Sequence, residues 1–200
     1  MSWTTGTQTE CLGANNAVGS ALSSFTTAAV MSPVTGAAYL PANFFLPSYG
    51  IGKSLWVKAS GVLSTTSTPT FGWAVFADSA LGTASPANLT SGTAGVLATT
   101  GLITQATGTN MPWELEVVIT CITTGTSATF LSDGTVKVYT ASTSIQSLRM
   151  SSSASNPNTT NTIGTGGTTA AWYIELAAAC GTSSSSNSIQ CYSYICMGLN

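Results

Sequence analysis

Trp113-Glu-Leu-Glu-Val-Val-Ile-Thr-Cys-Ile122 decides the fold class. Leu115, Val117, Ile119 and Cys121 alternate with Glu114, Glu116, Val118 and Thr120, a period of two rather than 3.6. This rhythm predicts a strand with one dry face and one wet face. The same rhythm recurs upstream. Lys53-Ser-Leu-Trp-Val-Lys-Ala-Ser-Gly61 sets Leu55, Val57 and Ala59 against Trp56, Lys58 and Ser60, and Thr70-Phe-Gly-Trp-Ala-Val-Phe76 puts Phe71, Trp73 and Val75 together. Further strands are expected at residues 128–131, 135–140, 171–178 and 188–197, with Ser132-Asp-Gly-Thr135 as a turn between the first two. In the last of these, Ile189, Cys191, Ser193, Ile195 and Met197 oppose Gln190, Tyr192, Tyr194 and Cys196. Loops rich in Ser, Thr and Gly are expected over 78–95 and 141–169. Short strands with turn-rich spacers, no long helical period and no internal repeat predict an all-β antiparallel sandwich or barrel.

Residues 1–43 follow another pattern. Small residues dominate, broken by Gly13, Gly19, Pro33, Gly36 and Pro41, with Trp3, Leu12, Leu22, Phe25, Val30 and Met31 as scattered anchors. Val18, Leu22 and Phe25 fall at helical spacing, although Gly19 and the many Ser and Thr weaken a helix there. The expectation is an N-terminal arm, extended or partly helical, that docks on its own domain or a neighbour; residues 44–200 form the β domain.

Charge is almost missing. Four cations and six anions stand among 200 residues, 5 % of the chain with no histidine, where roughly 25 % is usual. General acid–base sites, nucleophile–base pairs and metal cages draw on those residue types. No base is present for a serine nucleophile apart from Lys53, Lys58 or Lys137, and no motif singles one out. Glu114 and Glu116 share one strand face and read as a solvated surface, while Asp78 and Asp133 read as loop carboxylates. The expectation is therefore no catalytic residue, no cofactor and no metal. A net charge of −2 and a pI of about 4.7 argue against nucleic acid. Mean hydropathy is +0.32, yet no run approaches the roughly 20 apolar residues that span a bilayer, and no signal peptide is visible, so no membrane partner is expected. Cys11, Cys121, Cys180, Cys191 and Cys196 fit neither a complete disulfide framework nor a zinc site. They read as free, mostly buried thilos of a chain synthesised in a reducing cytoplasm, with Cys180–Cys191 across a hairpin as the alternative.

What survives is interfacial. Alternation places several aromatics opposite the main core face, among Phe45, Tyr49, Trp56, Phe76, Tyr139, Tyr173, Tyr192 and Tyr194. Weakly charged surfaces carrying Tyr and Trp suit protein–protein contact. With the arm anchors included, the candidate interface residues are Trp3, Phe25, Phe45, Tyr49, Trp56, Tyr192 and Tyr194. A second packed layer under the arm is the competing explanation.

The stretch from Leu40 to Phe71, through Gly52-Lys-Ser-Leu-Trp-Val-Lys-Ala-Ser-Gly61, a Ser/Thr turn and Pro69-Thr-Phe71, resembles the opening of jelly-roll virion proteins of tailed bacteriophages. Residues 113–120 with Thr124-Gly125 behind them resemble a later strand. Trp172-Tyr-Ile-Glu-Leu-Ala-Ala-Ala179 followed by Asn187-Ser-Ile-Gln-Cys191 is similar to a closing strand pair. The resemblance spans residues 40–198 and carries no catalytic signature. It implies an antiparallel jelly-roll β-sandwich and a homotrimer that decorates the capsid exterior, with the major capsid protein as its partner. Its alternative is a tail or head-fibre module that binds host-surface glycans. No individual functional residue transfers.

Overall fold

A computed structural model of the protein describes residues 9–15, 17–32, 37–45, 51–82, 89, 95–141, 144–153, 156, 158–164 and 166–199. Fourteen strands occur among them: β1 (Thr9–Asn15), β2 (Leu22–Ser23), β3 (Ala29–Val30), β4 (Ala38–Leu40), β5 (Ser54–Thr65), β6 (Thr70–Asp78), β7 (Val96–Thr99), β8 (Ile103–Thr104), β9 (Gly108–Thr123), β10 (Thr129–Ala141), β11 (Ser144–Ser151), β12 (Asn161–Thr162), β13 (Trp172–Cys180) and β14 (Ser188–Leu199). The described residues contain no α-helix; a 3-10 turn at Gly167–Thr169 is their longest helical piece. The all-β expectation holds, and the strand pairings are antiparallel.

The strands follow one another laterally as β1-β14-β5-β9-β10-β11-β7-β6-β13-β3, with β4 also on β13. A single pair, Ser151 with Thr99, links β11 to β7 and divides the sheet into a larger and a smaller leaf. The leaves share one apolar core. Leu55, Val57 and Ala59 of β5 and Trp113, Leu115, Val117 and Ile119 of β9 are buried in one cluster with Phe71, Trp73 and Val75 of β6 and Ile174 and Leu176 of β13. Trp73 meets Trp113 at 6.2 Å between ring centroids, tilted by 59°, joining the leaves at their middle. Each such large side chain contributes about 1.5–3 kcal/mol by leaving water.

The smaller leaf is buried on its other face too. There Ala74, Phe76, Ala177 and Ala179 pack with Ala28, Leu89 and Val96, against which Val30 also rests. Such double burial explains why β6 reads Phe71-Gly-Trp-Ala-Val-Phe-Ala77 and β13 ends on Ala177-Ala-Ala179 instead of alternating with polar residues.

Residues 9–45 are stitched into both ends of the sheet. β1 and β2 pair with β14, while β3 and β4 pair with β13. Thr9 stands opposite Leu199, so the first and last described strands lie side by side. No helical turn forms over 18–25; Leu22 enters a strand, and Leu22 and Phe25 pack on the core.

Three local readings change. Ser132-Asp-Gly-Thr135 is not a turn, because β10 runs unbroken through it. Ser132 is buried and its Oγ donates to Leu97 O at 2.7 Å, which fixes the chain there as strand. Residues 141–169 are not one loop, since Leu148 and Met150 point inward from β11. Finally, β14 carries a bulge between Cys191 and Ser193, where the partners on β5 step from Gly61 to Ser60. Past the extra residue the inward set becomes Tyr194, Cys196 and Gly198 rather than Ser193, Ile195 and Met197. Gly61 is required opposite the bulge: a Cβ there would meet the Gln190 carbonyl oxygen and lie 2.8 Å from Trp113 Cζ2.

Candidate interaction face

Every second side chain of β5, β9, β10 and β11 stands on the outer surface of the larger leaf, and register aligns them into rows. One row runs Met197, Trp56, Val118, Asp133. Beside it run Ile195, Lys58, Glu116, Thr135 and Arg149, then Ser193, Ser60, Glu114, Lys137 and Ser147. Six of the ten charged residues are gathered here: Lys58, Lys137 and Arg149 with Glu114, Glu116 and Asp133. Their charges cancel, leaving the net −2 to Glu10, Asp78 and Glu175 against Lys53.

Opposite charges alternate across the strands, which fixes orientation more than stability. Arg149 meets Asp133 at 3.1 Å, but both are exposed, and such a pair contributes about 0–1 kcal/mol. Trp56 is half-buried, and its Nε1 donates to Glu116 Oε1 at 2.9 Å. Tyr139 donates its hydroxyl to Glu114 Oε2 at 3.1 Å, and that bond to the carboxylate holds the phenol pKa above its ordinary value. Next to the charges, apolar atoms reach water at Val118 (38 % exposed), Ile122 (39 %) and Leu131 (38 %). The face therefore offers an uncovered apolar strip edged by balanced charge.

At one end of it, Thr109, Asn110, Met111, Pro112, Glu114, Tyr139 and Thr140 line an open cleft of about 620 Å³. The cleft lies between the start of β9 and the end of β10.

The expected interface residues separate into three groups. Trp56 and Tyr192 reach the surface of the larger leaf, Trp56 at its middle and Tyr192 at the bulge. Phe45 and Tyr194 do not; they belong to the core. Phe45 packs edge-on against Phe44 and Phe130, at 5.0 and 5.2 Å. Tyr194 is turned inward by the bulge, with its hydroxyl donating to Ile174 O at 2.6 Å. Phe76 is buried likewise, under the second cluster. Phe25 is half-buried against Phe71 at 5.9 Å, consistent with a docked segment. Trp3 and Tyr49 lie outside the described residues. Ile122 and Leu131 were not among the expected residues, although Leu131 follows from alternation once β10 is continuous.

Other titratable groups lie apart from this face. Glu175 is buried on β13, and burial raises its carboxyl to about 7, with Asp78 adding to the rise and the Gly82 N–H, donated to Oε1 at 2.9 Å, opposing it. Lys53 donates to Phe44 O at 3.0 Å with its ammonium 3.7 Å from the Phe44 ring centre; burial lowers its pKa and Glu10 raises it. All five cysteines are free, and four are buried. Burial raises Cys121 to about 11 and Cys191 and Cys196 to about 12, so these thiols stay protonated and unreactive. Cys180 and Cys191 do not face each other across a hairpin, because β13 and β14 pair with different neighbours. Among the described residues no three of His, Cys, Asp and Glu come together as metal ligands, and no helix is long and apolar enough to cross a membrane. Neither the known protein-family models nor the curated proteins provide a match to this chain.

Proposed function

We propose that this chain is a structural virion protein, a homotrimeric decoration protein that stabilises the head of a tailed bacteriophage from outside. The observation that carries the reading is the outer face of the larger leaf, where Met197, Trp56 and Val118 form an apolar row on a protein with almost no charge. Burying such a row gains about 25 cal/mol per Å² before ordering costs, less the cost of desolvating Asp133 at its end and Glu116 beside Trp56. The fold supports the same reading. Of the eight strands between β14 and β13 on the sheet path, β5 pairs with β14, β6 with β13, β7 with β11 through one residue pair, and β9 with β10. First with last, second with seventh, third with sixth and fourth with fifth is the nesting of one long hairpin rolled up, the basis of a jelly roll. The plan is modified: β5 also pairs with β9, β6 with β7 and β10 with β11, while β7 meets β11 through Ser151 and Thr99 alone.

The proposed role is non-enzymatic. The decisive measurement is the copy number and position of the protein in purified virions. Decoration predicts copies comparable to those of the major capsid protein, on the head, with trimers released by mild disruption. A few copies confined to the tail would sink the proposal.

A further inference from the structure

We propose that the open edge of β11 pairs antiparallel with the same edge of a second copy of this chain, centred on Ser147. Such a contact is two-fold, so it cannot be the one that closes a trimer. It joins one assembly to the next, and it goes beyond the virion reading.

Among the described strands longer than four residues, only β1 and β11 lack a paired strand along most of one side. β1 runs beside β4. β11 has β10 on one side and, on the other, the single pair of Ser151 with Thr99. The direction of its backbone groups follows from β10. There Ser132 N–H donates to Ser152 Oγ at 2.8 Å, so the amide of Ser132 points toward β11. Strand groups alternate sides, and Gly134, Val136 and Val138 therefore exchange hydrogen bonds with Met150, Leu148 and Gln146. Ile145, Ser147 and Arg149 turn their N–H and C=O groups the other way. None of those six groups has a partner among the described residues.

Nothing guards this edge. Monomeric proteins blunt such strands with proline, a bulge or an inward charge. Residues 145–150 contain no proline and keep an unbroken register against β10. Their one charge, Arg149, lies on the outer face and is taken up by Asp133 at 3.1 Å. Ile145 is 58 % exposed, and Ser147 and Arg149 are exposed too.

Parity and charge select the occupant. An added strand must set outward side chains beside Ile145, Ser147 and Arg149 and inward ones beside Gln146 and Leu148. A second β11 does this with Ile145 opposite Arg149, Gln146 opposite Leu148 and Ser147 opposite itself. That register engages every free group of both edges, brings no like charges together and lays the Arg149 stem on Ile145. A slip of one residue puts the side chains on the wrong faces. A slip of two loses a pair, because one direction runs past Ser144 and the other meets Ser151, already held by Thr99.

Cross-linking of the full chain tests the pairing. In a Cys11→Ser background, which removes the exposed native thiol, Ser147→Cys sets two thiols directly opposite, with Cβ atoms about 4.5–5.5 Å apart. We expect a short bismaleimide to give a two-chain product from it and none from Ser185→Cys, exposed between β13 and β14. Ser147→Lys places like charges opposite each other and should lower the mass of the assembled species by about half or more, measured by ultracentrifugation. Ser147→Glu should do the same, and mixing the two variants should restore the mass. Ser147 is exposed, so unchanged melting temperatures are expected for all three. A missing two-chain product, a mass unaffected by Ser147→Lys, or no recovery on mixing would overturn the proposal. The assembly reading is scored separately: trimers that survive Ser147→Lys support it, whereas single chains sink the trimer and leave the edge pairing standing.

Discussion

Glu175 is the one charged residue that the described structure buries, 1 % exposed beneath the turn that ends at Gly82. Its Oε2 has no hydrogen-bond partner among the described residues. A carboxyl with its pKa raised from 4.5 to about 7 is more easily kept neutral in the fold than in the unfolded chain. Its neutral form therefore favours folding below the unfolded pKa, and that contribution is lost as pH climbs through the folded one. We expect thermal stability to fall by about 1–2 kcal/mol between about pH 5 and about pH 8, and Glu175→Gln to flatten that slope. Thermal denaturation of both proteins across that range checks it. Trp56 is the surface counterpart. Trp56→Ala should leave the melting temperature nearly unchanged, because the indole is on the outer face, while reducing self-association measured by analytical ultracentrifugation by at least about tenfold. The wet-face position of Trp56 was legible in Lys53–Gly61, since alternation alone places it opposite Leu55 and Val57. The burial of Glu175 was not legible: it sits in a strand whose second face is covered by segments distant in sequence, Ala28 and Leu89 among them.

Among the elements, β5 and β9 behaved as their period demanded because each has one buried face and one wet one. β14 began the same way and then changed parity. The bulge adds Tyr192 without a partner of its own on β5, and from that point the buried set moves by one. Composition cannot reveal this, since Tyr194 and Ile195 are both plausible inward residues. The same limit applied to Ser132-Asp-Gly134. Turn chemistry is local, whereas the contact that makes it strand, Ser132 with Leu97, joins residues far apart in the chain. A pair of deletions tests the bulge. Removing Tyr192 restores simple alternation with Cys191, Tyr194 and Cys196 still inward, so we expect cooperative unfolding at a cost of about 1–2 kcal/mol. Removing Lys58 instead turns Leu55 and Val57 away from the phase of Ala59 and Leu63, and should abolish the fold. Chemical denaturation of the two variants distinguishes these outcomes.

Six of the ten charged side chains lie on one face of the molecule, in balanced pairs, among hydroxyls and small apolar groups. The proposed assembly through the Met197, Trp56 and Val118 row would depend on buried apolar area, which salt does not screen. We expect the mass of the assembled species, measured by light scattering, to stay constant between about 0.05 M and about 1 M salt. Dissociation on adding salt would point to the charge pairs as the adhesive instead.

The adjacency of Thr9 and Leu199 has a mechanical consequence. These residues end an antiparallel ladder at the same corner, so tension applied between them opens it rung by rung and meets little resistance. Tension between Thr9 and Tyr194, at opposite ends of that ladder, loads its rungs together in shear. A tether that must withstand force is accordingly better placed at the far end of that ladder, on the outward neighbour Ile195, than at that corner.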